Sequence, residues 1–218
     1  AGTRAPRGKA GTLLLDPADI TISTAADADI TAATTFSDLT GNGGVSNLNV
    51  TTLQTALGLS DVTVSTGTAS GANAGTITVV DAFTWAATSN LILTANSSIA
   101  INGAITGSNG TLTLWPGSNV TQSAAIDVSR LEVSGNGNIT LLNGGNNIGT
   151  LSTSSNLGQV NGSLSLKTAG ALVLDTVVST GALKLDVGGN LTQTAGAVTA
   201  PSLELASSAG SVTLANAN

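Results

Sequence analysis

The sequence predicts an all-β fold, a parallel β-helix (β-solenoid), with one short helix near residues 51–57. Short strands at even spacing could also build a sandwich or a barrel. Three observations favour the solenoid: the strands recur at a regular interval, a longer stretch of sequence repeats itself, and the composition is small and nearly uncharged.

The strands are predicted from apolar residues that alternate with polar ones, a pattern that places one row of side chains on a buried face. Clusters of Gly, Asn and Ser separate these segments and supply tight turns. We therefore expect a continuous buried stack that contains Leu93, Ile101, Leu114, Val133, Leu141, Leu166, Leu174, Leu185, Leu205 and Leu214.

The interval between strands indicates the size of one turn. The strongest Leu-x-Leu segments begin at positions 91, 112, 131, 183 and 203, so successive starts differ by 21, 19, 52 and 20. If 52 represents two turns of 26 residues, one turn holds roughly 19–26 residues, the size expected for one coil of a repeat that stacks only on its neighbours.

A longer repeat of about 72 residues joins two parts of the chain, because residues 119–143 are echoed by residues 190–216. The offset between matching segments drifts from 71 to 73, which needs only two one-residue insertions in turns. A sandwich gives no reason for such an echo, whereas stacked coils do.

The composition fits a thin tube. Charged residues make up 8% of the chain and aromatic residues 2%, and 27 of the 218 residues are Gly. Small residues fit narrow corners, and Asn and Ser in register can form side-chain ladders. Low charge suits a fold in which like residues stack, because stacked like charges repel.

Residues 37–60 break the strand pattern and are expected to form an insertion. Leu53 and Leu57 stand at positions i and i+4 and Gly58 follows them, which predicts a short helix that packs on the side of the solenoid. Residues 1–9 hold three of the six bases and are expected to be an irregular lead-in. Residues 10–218 then form a single shaft.

The composition also excludes several functions. The chain has no His and no Cys, which removes Ser-His-Asp triads, catalytic thiols and most zinc sites. A net charge of −6 argues against nucleic acid as a partner. We therefore expect no enzyme, no catalytic, cofactor-binding or metal-binding residues, and no cofactor.

The acidic residues that could serve a hydrolase are scattered, and no cluster of bases accompanies them. Asp175 and Asp186 could approach each other if they fall on adjacent coils. Asp27 and Asp29 form an isolated Asp-x-Asp pair, which we interpret as a solvated turn and not a calcium site. The candidate acids are Asp61, Asp81, Asp127, Glu132, Asp175, Asp186 and Glu204.

Two further patterns leave a binding role open. Trp85 and Trp115 could stack on sugars if both were exposed on one face, although isolated Trp residues on strands more often pack in the core. The Thr-x-Thr segments at 76–78 and 111–113 resemble ice-binding rows, but the corresponding positions elsewhere in the chain vary.

Three segments resemble large exoproteins related to filamentous haemagglutinin. Residues 9–17, Lys-Ala-Gly-Thr-Leu-Leu-Leu-Asp-Pro, followed by Ile-Thr-Ile at 20–22, are similar to an element near the start of the family's shaft. Residues 75–102 resemble its first coils, and residues 189–216 its repeating unit. The resemblance implies a right-handed parallel β-helix, two-partner secretion through an outer-membrane transporter pore, and a role in adhesion.

The sequence departs from the family in lacking its Asn-Pro-Asn secretion motifs and a signal peptide, so we expect a fragment of a longer protein. The resulting hypothesis is a secreted, non-enzymatic rod of a bacterial surface adhesin that mediates cell adhesion or builds biofilm matrix. Its receptors, on host cells, matrix or surfaces, are unknown. A filament subunit that self-associates end to end or side by side, and a carbohydrate-binding or polysaccharide-degrading β-helix, remain alternatives.

Overall fold

The computed structural model describes residues 13–14, 19–29, 45–66, 75–153, 158–194 and 196–216. The lead-in expected at 1–9 and the first part of the insertion expected at 37–60 lie outside the described residues. The described part consists of parallel strands stacked as a β-solenoid, with a single short helix. The predicted fold class is confirmed.

The described residues form one helix and 23 short strands. The helix α1 spans Val50–Leu57. The strands are β1 (Leu13–Leu14), β2 (Asp19–Ser23), β3 (Val45–Asn49), β4 (Val62–Ser65), β5 (Ile77–Val79), β6 (Phe83–Thr84), β7 (Asn90–Ala95), β8 (Ile99–Ile101), β9 (Ile105–Pro116), β10 (Val120–Gln122), β11 (Ile126–Val133), β12 (Gly135–Asn136), β13 (Ile139–Leu141), β14 (Asn147–Thr153), β15 (Val160–Asn161), β16 (Leu164–Thr168), β17 (Leu172–Leu174), β18 (Val177–Val178), β19 (Leu183–Val187), β20 (Leu191–Gln193), β21 (Val198–Thr199), β22 (Leu203–Ser207) and β23 (Val212–Thr213).

Two long parallel sheets form the walls of the solenoid. Wall A has ten strands, in the order β1-β4-β7-β9-β11-β14-β17-β20-β23, with β6 also paired to β9. Wall B has nine strands, in the order β22-β19-β16-β13-β10-β8-β5-β2-β3. The chain alternates between the walls, and the short pairs β12–β15 and β18–β21 lie between them along the chain. Each turn therefore rests on its neighbours through both walls.

The core is a continuous apolar stack. On wall A, Leu91 pairs in register with Leu112, which pairs with Leu131, and all three are fully buried. Eight of the ten residues predicted for the stack are buried. The prediction is wrong for Leu205 and Leu214, which are only partly buried, because no described strand lies beyond β22 and β23 to cover them.

The structure corrects the interpretation of the 52-residue interval as two turns, whereas the observed turn lengths lie within the predicted range. Leu131 lies on wall A and Leu183 on wall B, so the segment between them spans two and a half turns and not two. From Leu91 onward, the sequence separation of register partners ranges from 19, as for Val120 and Ile139, to 25, as for Ile139 and Leu164.

The two copies of the 72-residue repeat place equivalent strands on opposite walls. The segment that contains β10 on wall B is repeated by the segment that contains β20 on wall A, and β11 on wall A is repeated by β22 on wall B. One repeat thus corresponds to three and a half turns. Both walls can be built from the same sequence because both bury alternate residues of short strands.

The predicted helix is confirmed as α1. The Asn49 side chain accepts a hydrogen bond from the Thr51 N–H, and Gly58 ends the helix by donating to the Gln54 carbonyl at 2.9 Å. Leu53 and Leu57 are buried in the same core as the strands. α1 contacts β3, β4 and β6, so it forms part of the N-terminal end of the stack.

Candidate functional site

The structure does not bring Asp175 and Asp186 together. Asp175 directly follows β17 on wall A, and Asp186 lies in β19 on wall B. Each is paired with a different base, Asp175 with Arg130 and Asp186 with Lys167. A hydrolase would need two neighbouring carboxylates, and Asp175 and Asp186 do not form such a pair.

The main charged site on wall A is a cluster of Arg130, Glu132, Ser152 and Asp175, here called the Arg130 cluster. The Arg130 Nη2 atom lies 2.9 Å from both Asp175 Oδ2 and Ser152 Oγ, and Nε lies 3.0 Å from Glu132 Oε1. Glu132 and Ser152 are register partners on β11 and β14, and the Asp175 N–H donates to the Leu151 carbonyl. One guanidinium thus links three consecutive turns.

The electrostatics of the Arg130 cluster favour a structural role over proton transfer. The hydrogen bond from Arg130 lowers the pKa of Asp175, and burial opposes this only in part. A general acid needs a raised pKa, so the shift of Asp175 has the wrong direction for that task. Sequence reasoning missed the cluster because Arg130 and Asp175 are far apart in the chain and meet only through the register of three turns.

Wall B carries two ion pairs between neighbouring turns. Lys167 Nζ lies 2.6 Å from Asp186 Oδ2, and Lys184 Nζ lies 2.7 Å from Glu204 Oε1. With Arg130, all three bases of the described residues pair with carboxylates. Ion pairs that are exposed to solvent add little to stability, so we expect these two pairs to contribute little to the stability of the fold.

A buried amide site ties three turns together at one corner. Asn146 is fully buried, and its Oδ1 accepts hydrogen bonds from the Ile126 N–H and from the Gln122 side chain. Its Nδ2 donates to Gln122 Oε1, to the Leu141 carbonyl and, at 2.9 Å, to the Lys167 carbonyl. Every polar atom of this buried side chain therefore has a partner, as buried polar groups require.

Asn and Asp side chains recur where a turn begins a wall strand. Each accepts a hydrogen bond from a backbone N–H at or just before the start of the corresponding strand of a neighbouring turn, at 2.7–3.0 Å. The sequence predicts ladders between side chains, and one exists between Asn161 and Asn136. A hydrogen bond from a backbone N–H to a side-chain oxygen is more frequent, and it joins the pairs Asp19–Thr76, Asp61–Asn90, Asn119–Asn138, Asn138–Ser163 and Asn190–Ser211.

The two Trp residues have different surroundings. Trp85 is buried, stacks on Phe83 with 6.1 Å between ring centroids, and donates from Nε1 to the Ser89 carbonyl. Trp115 is 38% exposed. The two indoles therefore do not form a shared exposed platform, and only Trp115 is available to a sugar.

The remaining candidate acids have structural partners. Asp27 accepts hydrogen bonds from the Asn49 N–H and from Thr52 Oγ1 at the start of α1. Asp81 accepts two hydrogen bonds from Thr24, and the one from the Thr24 backbone N–H is the main cause that lowers the pKa of Asp81. Within the described residues, no group of three His, Cys, Asp or Glu side chains could hold a metal ion.

The Thr-rich row on wall B is one residue wide. Thr21, Thr78, Ala100 and Thr121 follow one another in register on β2, β5, β8 and β10. Ala100 interrupts the row of Thr residues, and Lys184 occupies the equivalent position on β19. A regular array of hydroxyl groups, as ice binding needs, is not formed here.

Within the described residues, no helical segment has the length and hydrophobicity of a transmembrane span.

No curated protein and no solved structure matches this chain. Residues 88–155 and 161–218 each match a family described as Repeats of unknown function (DUF5649). The starts of the two matches, at 88 and 161, differ by 73, in agreement with the echo in the sequence. Because the matches cover more than half of the 218 residues, the chain belongs to this family of repeats of unknown function.

Proposed function

We propose that this chain is a structural segment of a secreted bacterial adhesin, a stiff shaft that holds a binding region away from the cell or contributes to biofilm matrix. The observation that carries the proposal is the set of links between turns. The Arg130 cluster joins three turns on wall A, and Asn146 joins three turns at a corner. Such links resist separation of the turns along the axis.

The dimensions suit a spacer built from repeats. Nine successive strands on wall A are separated by eight spacings of roughly 4.8 Å, which gives a shaft of roughly 40 Å. Because the family repeat occurs twice in this chain, further copies would lengthen the shaft in proportion.

The location and export route of the proposed adhesin are supported by the resemblance to filamentous haemagglutinin-like exoproteins. On this proposal, a dedicated outer-membrane transporter pore exports the chain, and the partners are receptors on cells, matrix or other surfaces. The low charge and the ion-paired bases fit a protein that does not bind nucleic acid.

The proposal can be tested in the bacterium that makes the protein. We expect the protein to be cleaved by protease added to intact cells, and we expect deletion of residues 88–218 to reduce attachment to surfaces. Leu174→Asp, which disrupts the buried stack, should reduce attachment to the same degree, while Leu142→Asp, at an exposed position, should not. Protection of the protein from external protease, or unchanged attachment after the deletion, would contradict the proposal.

A second candidate, carbohydrate binding on wall A, is favoured by the exposure of Trp115. Trp85→Phe leaves Trp115 as the sole indole, so its fluorescence reports directly on that surface. Saturable quenching by a polysaccharide, abolished in Trp115→Ala, would support binding. Unchanged fluorescence across neutral and acidic polysaccharides would exclude it.

A further inference from the structure

Trp115 lies near the end of β9 on wall A, beside the short strand pair β12–β15. A Cβ atom added to Gly135 of β12 would lie 2.9 Å from Trp115 Cδ1, so the indole packs against the backbone of the next turn. Gly135 has a φ of 108°, which favours glycine, and it has no side chain that could cover the ring. The indole is therefore supported by the backbone while 38% of the residue stays exposed.

Three exposed amide side chains, Asn136, Asn161 and Gln159, form a row that begins one residue after Gly135 and is here called the amide row. Asn136 and Asn161 are register partners on β12 and β15, and Asn161 Nδ2 donates to Asn136 Oδ1 at 3.0 Å. Gln159 Nε2 donates to Asn161 Oδ1, also at 3.0 Å. Because each amide group has two N–H donors and an oxygen that accepts twice, these two hydrogen bonds leave capacity for a ligand.

The stretches of chain that build Trp115 and the amide row carry no charge. Residues 82–126 and 133–166 contain no Asp, Glu, Lys or Arg. A polyanion would need free bases near the indole. All three bases of the described residues are instead paired with carboxylates. The surface around Trp115 therefore suits a ligand that is polar but uncharged.

We propose that Trp115 and the amide row form a binding site for an uncharged polysaccharide. One sugar ring stacks on the indole, and hydroxyl groups of the following sugars bond to the amides, which donate and accept hydrogen bonds as hydroxyl groups do. An apolar ligand fits less well, because the register partner of Trp115 on β7 is Thr94 and the other flank is the amide row. This inference rests on the second candidate function above and adds the class of polysaccharide and the polar half of the site.

The parts of the site lie on consecutive turns, which sets the direction of the ligand. Trp115 belongs to one turn, Asn136 to the next, and Asn161 to the turn after that. With a spacing of roughly 4.8 Å between turns, the site extends roughly 10 Å along the axis of the solenoid. A polysaccharide chain that follows the axis contacts all three residues, whereas a single sugar ring does not. We therefore expect a polymer to bind more tightly than its monosaccharide.

Indole fluorescence of the Trp85→Phe variant tests the class of ligand, because Trp115 is then the sole indole. The probes are the neutral polymers dextran, laminarin and galactomannan, the polyanion polygalacturonate, and free glucose. We expect saturable quenching by at least one neutral polymer and none by polygalacturonate or by glucose at the same mass concentration. Equal or tighter binding of polygalacturonate, or glucose binding as tightly as the polymer, would overturn the proposal.

Calorimetric titration of variants of the otherwise unchanged protein separates the two halves of the site. Trp115→Ala should abolish binding, Trp115→Phe should retain weakened binding, and Asn161→Ala should weaken binding about 2- to 10-fold. The matched control is Asn102→Ala, because Asn102 is an exposed amide beside wall B whose side chain bonds to exposed Ser123. Equal affinities of Asn161→Ala and Asn102→Ala would overturn the amide row and leave carbohydrate binding in place, whereas no quenching by any polysaccharide would overturn both.

Discussion

Replacing Asn146 by leucine tests whether the corner amide holds three turns together. Leucine matches the shape of asparagine but provides no polar atoms. The substitution leaves the Ile126 N–H and the Leu141 carbonyl without their side-chain partner in buried surroundings, and it deprives the Gln122 side chain and the Lys167 carbonyl of a partner. The cost therefore comes from unmatched polar groups and not from lost volume.

The expected magnitude follows from the buried Ile126 N–H, which donates to the Asn146 side chain. A buried polar group left unsatisfied costs about 1–3 kcal/mol, so Asn146→Leu should lower the free energy of unfolding by about 1–3 kcal/mol. For a chain of this size, 1 kcal/mol corresponds to roughly 2–4 °C in Tm, so we expect a drop of about 2–12 °C.

The assay combines guanidinium chloride unfolding with amide hydrogen exchange. Exchange is included because solenoids can unfold in parts, and it should show lost protection first at the Ile126 N–H. The control is Asn161→Leu, since Asn161 is exposed and its side chain bonds to other exposed side chains. A loss below about 1 kcal/mol in Asn146→Leu, or an equal loss in the control, would refute the reasoning.

Three further predictions address the core, the corners and the charges. Leu174→Asp should cost at least about 4 kcal/mol by urea unfolding, whereas Leu214→Asp, at a partly buried position, should cost about 1 kcal/mol or less. Gly162→Ala should cost about 1–3 kcal/mol in thermal melts, because its Cβ would lie against the backbone of the preceding turn. Arg130→Met should lose less stability than the wild type when the pH falls below about 4, because Arg130 lowers the pKa of Asp175 in the folded state only.

Each of these three predictions has a result that would contradict it. Equal losses in Leu174→Asp and Leu214→Asp would refute the assignment of the stack. Gly144→Ala, where the nearest atom would lie 3.8 Å away, is the control for Gly162→Ala and should change the Tm little. The pH prediction has a definite sign, because a lowered folded-state pKa adds stability at neutral pH that protonation removes. Parallel pH profiles for the wild type and Arg130→Met would contradict it.

The strands and the helix could be predicted from local patterns. Alternation of apolar residues identifies strands such as β7 and β16, and Leu53, Leu57 and Gly58 identify α1. These signals are local because burial on one face fixes the period along the chain. The assignment of strands to walls could not be predicted, since a Leu-x-Leu segment has the same appearance on wall A and on wall B.

The sites between turns depend on register, which the sequence does not state. Arg130 and Asp175 are neighbours only because turns of unequal length place them on the same wall. The Asn and Asp residues that bind a neighbouring turn could be recognised from the sequence. Each of them, like Asn119 and Asn190, stands directly before the first buried residue of a strand. Exposure of Trp115 and burial of Trp85 required the structure, because both Trp residues lie in strand-like segments.

The stacking of parallel turns can be tested most directly by cross-linking pairs of introduced cysteines, because the chain has none of its own. Thr140 and Ser165 are register partners on β13 and β16, whereas Thr140 and Thr150 are closer in sequence but lie on opposite walls. A short thiol cross-linker should join Thr140→Cys/Ser165→Cys readily and leave Thr140→Cys/Thr150→Cys unlinked. Efficient linking of the second pair, with none of the first, would contradict the solenoid.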